Sequence, residues 1–155
     1  MIDTIPFLYE EFDINFELYI TKPTSTALYH NVIRLTNTQS NQGSFGDRIV
    51  VFEVMGDLSK VNFISDAKPK RSQSVTHTAT IPSERWVPIR IQQALLDGRF
   101  KIIFYFDSTP VGELLMDRPD VYNETKIFAS ETFRGRMPGF IKNLKLSTGK
   151  IKHID

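Results

Sequence analysis

The chain has 155 residues, 41% hydrophobic and 24% charged, a size and composition that suit one globular domain, residues 1–155, with its own core. Lysine and arginine total 19 against 18 acidic residues, so the formal net charge of +1 gives no overall field favouring nucleic acid or an acidic membrane surface. The absence of cysteine excludes disulfides, thiolate metal sites and thiol nucleophiles. No apolar run approaches the ~20 residues of a membrane span.

The first strong element is a strand with one buried face. Five apolar residues alternate with polar ones: Phe12, Ile14, Phe16, Leu18 and Ile20. Further strands are predicted at residues 28–37, 48–55, 58–65, 74–81, 85–92, 100–107, 126–130 and 139–147. Turn formers punctuate them, notably Gly56-Asp57, Asp97-Gly98 and the loop of residues 41–44.

Helical periodicity is nearly absent, and only residues 91–96 are predicted to form a turn or two of helix. The polar, basic stretch of residues 65–74, "SDAKPKRSQS", is predicted to be a solvated loop. Many strands without alternating helices favour an antiparallel arrangement. The sequence therefore predicts an all-β fold, an antiparallel two-sheet β-sandwich of jelly-roll type.

Two stretches carry a family resemblance. Trp86 to Ile91 followed by Phe100 to Ser108 is a tryptophan-led strand, then a strand ending in an aspartate-led turn, and "GFIKNLKL" from Gly139 to Leu146 looks like a closing strand. With "YHNVIRLTN" and "GDRIVVFEV", these resemble the laminin G-like and pentraxin-like modules of the concanavalin A-like lectin superfamily. The resemblance implies a sandwich that binds a glycan or a glycosylated partner.

The apolar faces of the strands at residues 86–91 and 100–106 have to be covered by a second sheet. We expect Trp86 to belong to this buried face and the strand at residues 12–20 to supply the cover. Twelve phenylalanines exceed what a core needs, so some are expected to line a pocket or an interface.

The candidate ligand-binding residues are polar or basic. His30, Asn31 and Arg34 are loosely similar to the sugar-facing strand of the galectin branch, although their neighbours do not match. Lys142, Lys145, Lys150 and Lys152 extend a basic C-terminal quarter suited to an anionic glycan or phosphate. The full candidate set is His30, Asn31, Arg34, Arg48, Arg134 and Arg136.

No catalytic constellation emerges from the sequence. The histidines are His30, His77 and His153, and no Gly-x-Ser-x-Gly sequence occurs. Asp13, Glu17 and Glu53 fall on predicted strands but lack the Glu-x-Asp-x-x-Glu spacing of glucanases in this superfamily. The sequence therefore predicts that the chain is not an enzyme.

A calcium ion is the one cofactor that the sequence suggests. Asp117, Asp120 and Asn123 lie close together near presumed turns and supply oxygen ligands, without EF-hand spacing. Aspartate is also common in turns for local hydrogen bonding, which is the competing interpretation. Asn123-Glu124-Thr125 is an acceptor sequence for N-glycosylation if the chain is secreted.

The leading functional hypothesis is a secreted, non-catalytic module that recognises a glycan or a glycoprotein. No signal-peptide pattern begins the chain, and an added Met1 on a mature secreted chain is consistent with that. One alternative is a carrier of an apolar small molecule, a lipid or a pigment such as a carotenoid, held by aromatic residues. Another is a structural component that self-assembles as a homo-oligomer. Neither nucleic-acid binding nor a membrane span is expected.

Overall fold

The computed structural model describes residues 1–25, 27–38, 44–129 and 137–149, and within them every regular element is a β-strand. In chain order the strands are β1 Asp3–Leu8, β2 Glu11–Ile20, β3 Tyr29–Thr36, β4 Val50–Met55, β5 Lys60–Ser65, β6 Gln73–Thr78, β7 Trp86–Leu96, β8 Arg99–Phe106, β9 Thr109–Met116, β10 Tyr122–Ala129 and β11 Gly139–Gly149. The described residues contain no helix long and apolar enough to cross a membrane.

The strands form two antiparallel sheets packed face to face. The six-stranded sheet has the order β1-β10-β3-β4-β5-β6, and the five-stranded sheet has the order β11-β2-β7-β8-β9. Non-consecutive neighbours such as β10 and β3, or β2 and β7, are joined by crossovers between the layers, as in a jelly roll. The predicted all-β, antiparallel two-sheet sandwich is confirmed.

Alternation along the strands decides which side chains meet between the sheets. In β2 the even-numbered residues from Phe12 to Ile20 are all buried, while the odd-numbered ones face outward. Phe52 and Phe63 of the six-stranded sheet lie with ring centroids 4.7 Å apart. Phe104 of the five-stranded sheet stacks on Phe63 at 4.8 Å, so an aromatic column joins the two layers at the centre of the core.

Three details of the prediction were wrong. Residues 91–96 continue strand β7 and form no helix, because Ile91 and Gln93 pair with β8 and lie against the core. The strand at residues 12–20 does not cover the strand at residues 86–91, because β2 is its hydrogen-bonded neighbour in the same sheet. Trp86 was expected in the buried face, but it lies on the same side of β7 as Pro88 and Arg90. Buried Ile89 lies on the opposite side, so Trp86 points away from the core.

The predicted turns at Gly56-Asp57 and Asp97-Gly98 are confirmed. Leu58 donates its backbone N–H to the carbonyl of Met55 at 2.9 Å, which closes the first hairpin. Asp97 and Gly98 both have positive φ, 52° and 72°, the conformation of a two-residue type I′ hairpin turn.

The loop between β5 and β6 is only partly the solvated segment expected. Ala67 is completely buried, and Asp66 is almost so. The Asp66 carboxylate accepts backbone N–H groups from Gly46 and Arg48, both at 3.1 Å, and from Ser72 at 3.0 Å. This buried carboxylate therefore ties the start of the loop to the segment that leads into β4.

Tyr122 lies beside this carboxylate, at a small cavity that Ser65, Asp120 and Gln93 also line. Burial raises the pKa of its phenol well above the ordinary value, and the negative charges of Asp120 and Asp66 add to the effect. Folding therefore favours the protonated phenol. Above pH ~10 the unfolded chain releases this proton, so the stability that Tyr122 contributes falls as the pH rises further.

We expect the phenol of Tyr122 to stay protonated at pH 11 in the folded protein. Phenolate absorbance, measured from pH 8 to 11.5, should follow nearly the same curve in the wild type and in Tyr122→Phe. The two curves should separate only at higher pH or in denaturant. Loss of one full phenolate step near pH 10 in the folded variant would contradict this assignment.

Candidate functional site

Three of the predicted ligand-binding residues have buried side chains. His30, Asn31 and Arg34 lie on β3 and are 8%, 6% and 3% exposed. His30 Nε2 is 3.2 Å from the hydroxyl of Thr24, and Arg34 Nε donates to the backbone carbonyl of Asp47 at 2.9 Å. The contacts of His30 and Arg34 link β3 to the segments before β3 and before β4, and the three buried side chains form no solvent-facing sugar strand.

Arg48 lies half-buried just before β4, with a guanidinium nitrogen 3.3 Å from the Ser72 hydroxyl. Arg134, Arg136, Lys150 and Lys152 lie outside the described residues. Lys142 and Lys145 lie on β11, where both are exposed. Of the basic C-terminal residues named from the sequence, the described part of the chain therefore contains only Lys142 and Lys145.

The predicted calcium ligands do not form a cage. Asp120 is ion-paired with Lys68 at 2.6 Å, and Asp117 is exposed. Asn123 is exposed on β10, opposite Phe7 of β1, where its glycosylation remains a prediction. In the described part of the chain, no group of three or more histidine or acidic residues is placed to hold a metal ion. The calcium prediction therefore has no geometric support from these residues.

A different surface brings aromatic and hydrogen-bonding side chains together. This surface, called the outer face below, is the side of the five-stranded sheet that points away from the core, across β11, β2, β7 and β8. Its centre is a ladder of directly opposed residues that all point away from the core because their neighbours point into it. The pairs are Tyr19 with Trp86, Glu17 with Pro88, Asn15 with Arg90, and Asp13 with Gln92.

One end of the outer face is an aromatic row. The ring of Tyr19 lies between those of Trp86, at 5.2 Å, and Phe140, at 6.4 Å, one residue from each of three adjacent strands. Lys142 places its ammonium 4.1 Å from the centre of the Trp86 ring. Such a contact at an exposed site is worth only about 0.5–1 kcal/mol, so a ligand can displace this flexible side chain.

The middle of the outer face is a network of charged and amide groups. Arg90 donates through two nitrogens to the Asp13 carboxylate, at 2.5 and 3.0 Å, and its guanidinium lies 5.3 Å from the Tyr105 ring. The hydrogen bond to Asp13 raises the pKa of Arg90 further, so the guanidinium stays charged at any physiological pH. Asn15 donates to the same carboxylate at 2.7 Å.

A β-bulge in β11 adds a further amide to the network. The register with β2 shifts between Lys142 and Lys145, and Asn143 adopts a left-handed φ of 53°. Its side-chain amide donates to Glu17 at 2.6 Å. The bulge therefore aims Asn143 across the strand pair and toward the middle of the outer face.

These groups border an open depression of about 580 Å³. Its lining includes Asn15, Pro88, Arg90, Tyr105, Asn143 and Lys145. The volume falls in the range of small-molecule sites, about 300–1,000 Å³. An apolar ring surface beside fixed amide, carboxylate and guanidinium groups suits a ligand that has both apolar faces and many hydroxyls.

Of the outer-face residues, only Lys142, Lys145, Asp13 and Glu17 were considered as site residues from the sequence, and the two acids only as catalytic candidates. The signal was present, since Asp13, Asn15, Glu17 and Tyr19 are the outward positions of the clearest alternating strand. What the sequence did not show is that β7 and β11 flank this strand on either side.

No family model matches the chain, and no sequence among curated proteins does so. Solved structures do. The binding domain of botulinum neurotoxin serotype D has a TM-score of 0.64 at 12% identity, over 95% of this chain and 34% of that one. A native heptameric SAP-like pentraxin from Limulus polyphemus has a TM-score of 0.61 at 12% identity, over 94% and 66%.

The CBM40 of a Ruminococcus gnavus IT-sialidase, bound to α2,3 sialyllactose, has a TM-score of 0.59 at 10% identity, over 92% of this chain and 78% of that one. An alginate lyase from Pseudomonas aeruginosa is also similar, with a TM-score of 0.58. The chain spans about a third of the length of the toxin binding domains. At such identities these likenesses show the fold alone, a jelly-roll sandwich that lectin-like binding domains share.

Proposed function

We propose that the chain is a non-catalytic module that binds a glycan on the outer face of the five-stranded sheet. The observation that carries the proposal is that the outer face holds both the Tyr19–Trp86 ring pair and the Arg90–Asp13 network, and that Arg90 lines an open depression there. Rings stack on the C–H faces of a sugar, while the charged and amide groups pair with its hydroxyls. The sialyllactose-bound CBM40 supports the proposal, because it has the same fold.

The spacing of the outward carboxylates argues for binding rather than hydrolysis. Asp13 and Glu17 are four residues apart on one strand, which places their backbones about 13 Å apart. Paired carboxylates of glycoside hydrolases are about 5–9.5 Å apart. Asp13 is also held by Arg90, and Glu17 by Asn143, so neither carboxylate is free to activate a water molecule or protonate a leaving group.

The finer parts of the proposal concern family and location. A laminin G-like relationship and an extracellular location remain predictions from the sequence resemblance, as does assembly into a homo-oligomer. The carrier hypothesis gains no support from the most deeply buried rings, because they pack on one another in the core. Half of the twelve phenylalanines are buried in the core: Phe12, Phe16, Phe52, Phe63, Phe104 and Phe106.

A glycan array followed by isothermal calorimetry tests the proposal. We expect the intact chain to bind at least one oligosaccharide class, with equal affinity in calcium and in EDTA, since the described residues hold no cation cage. Incubation with the bound sugar should release no shorter products. An array with no signal at all would refute glycan binding, and product formation would show instead that the module is an enzyme.

A further inference from the structure

We propose that the outer face binds an inner stretch of a linear, uncharged oligosaccharide lying along β2 and β7. This inference rests on the proposed function and adds the shape and charge class of the ligand. The geometry that supports it is the length of the ladder, the meeting of two depressions on one face, and the balance of charge along them.

The ladder is long for a single sugar. It consists of four outward pairs, from Tyr19 and Trp86 at one end to Asp13 and Gln92 at the other. With about 3.3 Å per residue along a strand, six residues extend about 20 Å. A surface of this length offers contacts to several consecutive sugar units, whereas a terminal sugar alone would leave most of it exposed.

The two depressions follow one another along this ladder. The one of about 580 Å³ includes Arg90, and a second, of about 460 Å³, includes Asp13, Gln92 and Ser147. The bidentate ion pair between Arg90 and Asp13 contributes one residue to each depression, so the two meet there. Both are open to solvent, which leaves a chain free to continue beyond them.

The charges along this surface cancel. Three carboxylates on β2, those of Glu11, Asp13 and Glu17, face three cations on β7 and β11, those of Arg90, Lys142 and Lys145.

Two of these cations are already balanced by carboxylates. Arg90 is held bidentately by Asp13, and Lys142 Nζ lies 3.7 Å from Glu17. An anionic sugar chain would be repelled by the carboxylates of Glu11, Asp13 and Glu17, whereas hydroxyls pair with carboxylate and guanidinium groups alike. The surface therefore favours uncharged sugar units.

The test measures the affinity of the intact chain, by calorimetry, for β-1,4-linked glucose and xylose oligomers of one to six units and for polyuronate oligomers of equal length. We expect affinity for the uncharged series to rise with each unit and to level off at about four to five. Raising the salt from 0.05 to 0.5 M should change it by less than about twofold, because no net charge is neutralised.

A matched pair of variants locates the chain on the surface. Ser147 lines the second depression, and Ser74 is exposed on β6 of the other sheet, with neither side chain in the core. Ser147→Ala should weaken binding of the six-unit oligomer about threefold, as loss of one hydrogen bond does, and leave the two-unit oligomer unchanged. Ser74→Ala should change neither.

The outcomes separate this inference from the proposed function. If a monosaccharide binds as tightly as the six-unit oligomer, the site is compact and the extended groove is wrong. If polyuronates bind more tightly and lose affinity with salt, the uncharged class is wrong. In both cases glycan binding stands. If no oligomer and no array glycan binds, both proposals fail together.

Discussion

Replacing Phe104 by alanine is expected to lower the free energy of unfolding by about 3–5 kcal/mol, the usual cost for a buried phenylalanine. Its side chain is completely buried, and its ring stacks on Phe63 of the opposite sheet. The substitution leaves a cavity between the two sheets. Because side chains of both sheets line this space, a shift of one sheet alone does not close it. Chemical denaturation followed by circular dichroism measures the change.

The matched control is Phe140→Ala, the same chemical change at a ring that is 62% exposed on the outer face. It should alter the free energy of unfolding by less than about 1 kcal/mol. Equal losses in the two variants would mean that the aromatic column is not the centre of the core. The loss expected for Phe104→Ala is large for a domain with a total free energy of unfolding of about 5–15 kcal/mol.

The sequence predicted nine of the eleven strands of the described residues, among them β7, which is a central strand even though it contains Pro88. β1 and β9 were missed, and each contains a proline, Pro6 and Pro110. Each is also the edge strand of its sheet, the position where the missing N–H costs no ladder hydrogen bond. Proline therefore weakened the sequence signal of these two short strands, whereas the alternation of β7 around Pro88 was strong enough to predict a strand.

Strand partners were harder to predict than strands. β2 and β7 lie about 70 residues apart in the chain yet pair over eight residues, from Phe12 with Gln93 to Tyr19 with Trp86. The alternation of apolar and polar residues predicts which side chains of a strand share a face, but it does not predict which other strand pairs with that strand. That choice depends on packing between distant segments, so the assignment of β2 to the covering sheet had no local signal to correct it.

The same limit explains the candidate site. The sequence offered His30, Asn31 and Arg34 because they are loosely similar to the sugar-facing strand of the galectin branch. The structure shows buried side chains that contact the protein. The outer face becomes visible only when β11 and β7 are placed beside β2, since each strand alone carries an ordinary polar face.

Trp86→Ala is expected to weaken glycan binding by about 2 kcal/mol, or roughly thirtyfold, as for an aromatic residue at the centre of a binding surface. Trp86 is half-buried on the outer face, where it packs on Tyr19 and under Lys142. Because no core contact is removed, the free energy of unfolding should change by about 1 kcal/mol at most. Calorimetry with the sugar identified by the array measures the affinity.

Trp86→Phe keeps an aromatic ring at the same place and should restore most of the affinity, because stacking requires a ring face rather than the indole N–H. Phe7→Ala removes a ring that is 50% exposed on β1 of the other sheet and should leave the affinity unchanged. If Trp86→Ala binds the sugar as tightly as the wild type, the ligand does not lie against the aromatic row. If Phe7→Ala alone loses affinity, the binding surface is the edge of the six-stranded sheet, where the β1 strand offers its unpaired side.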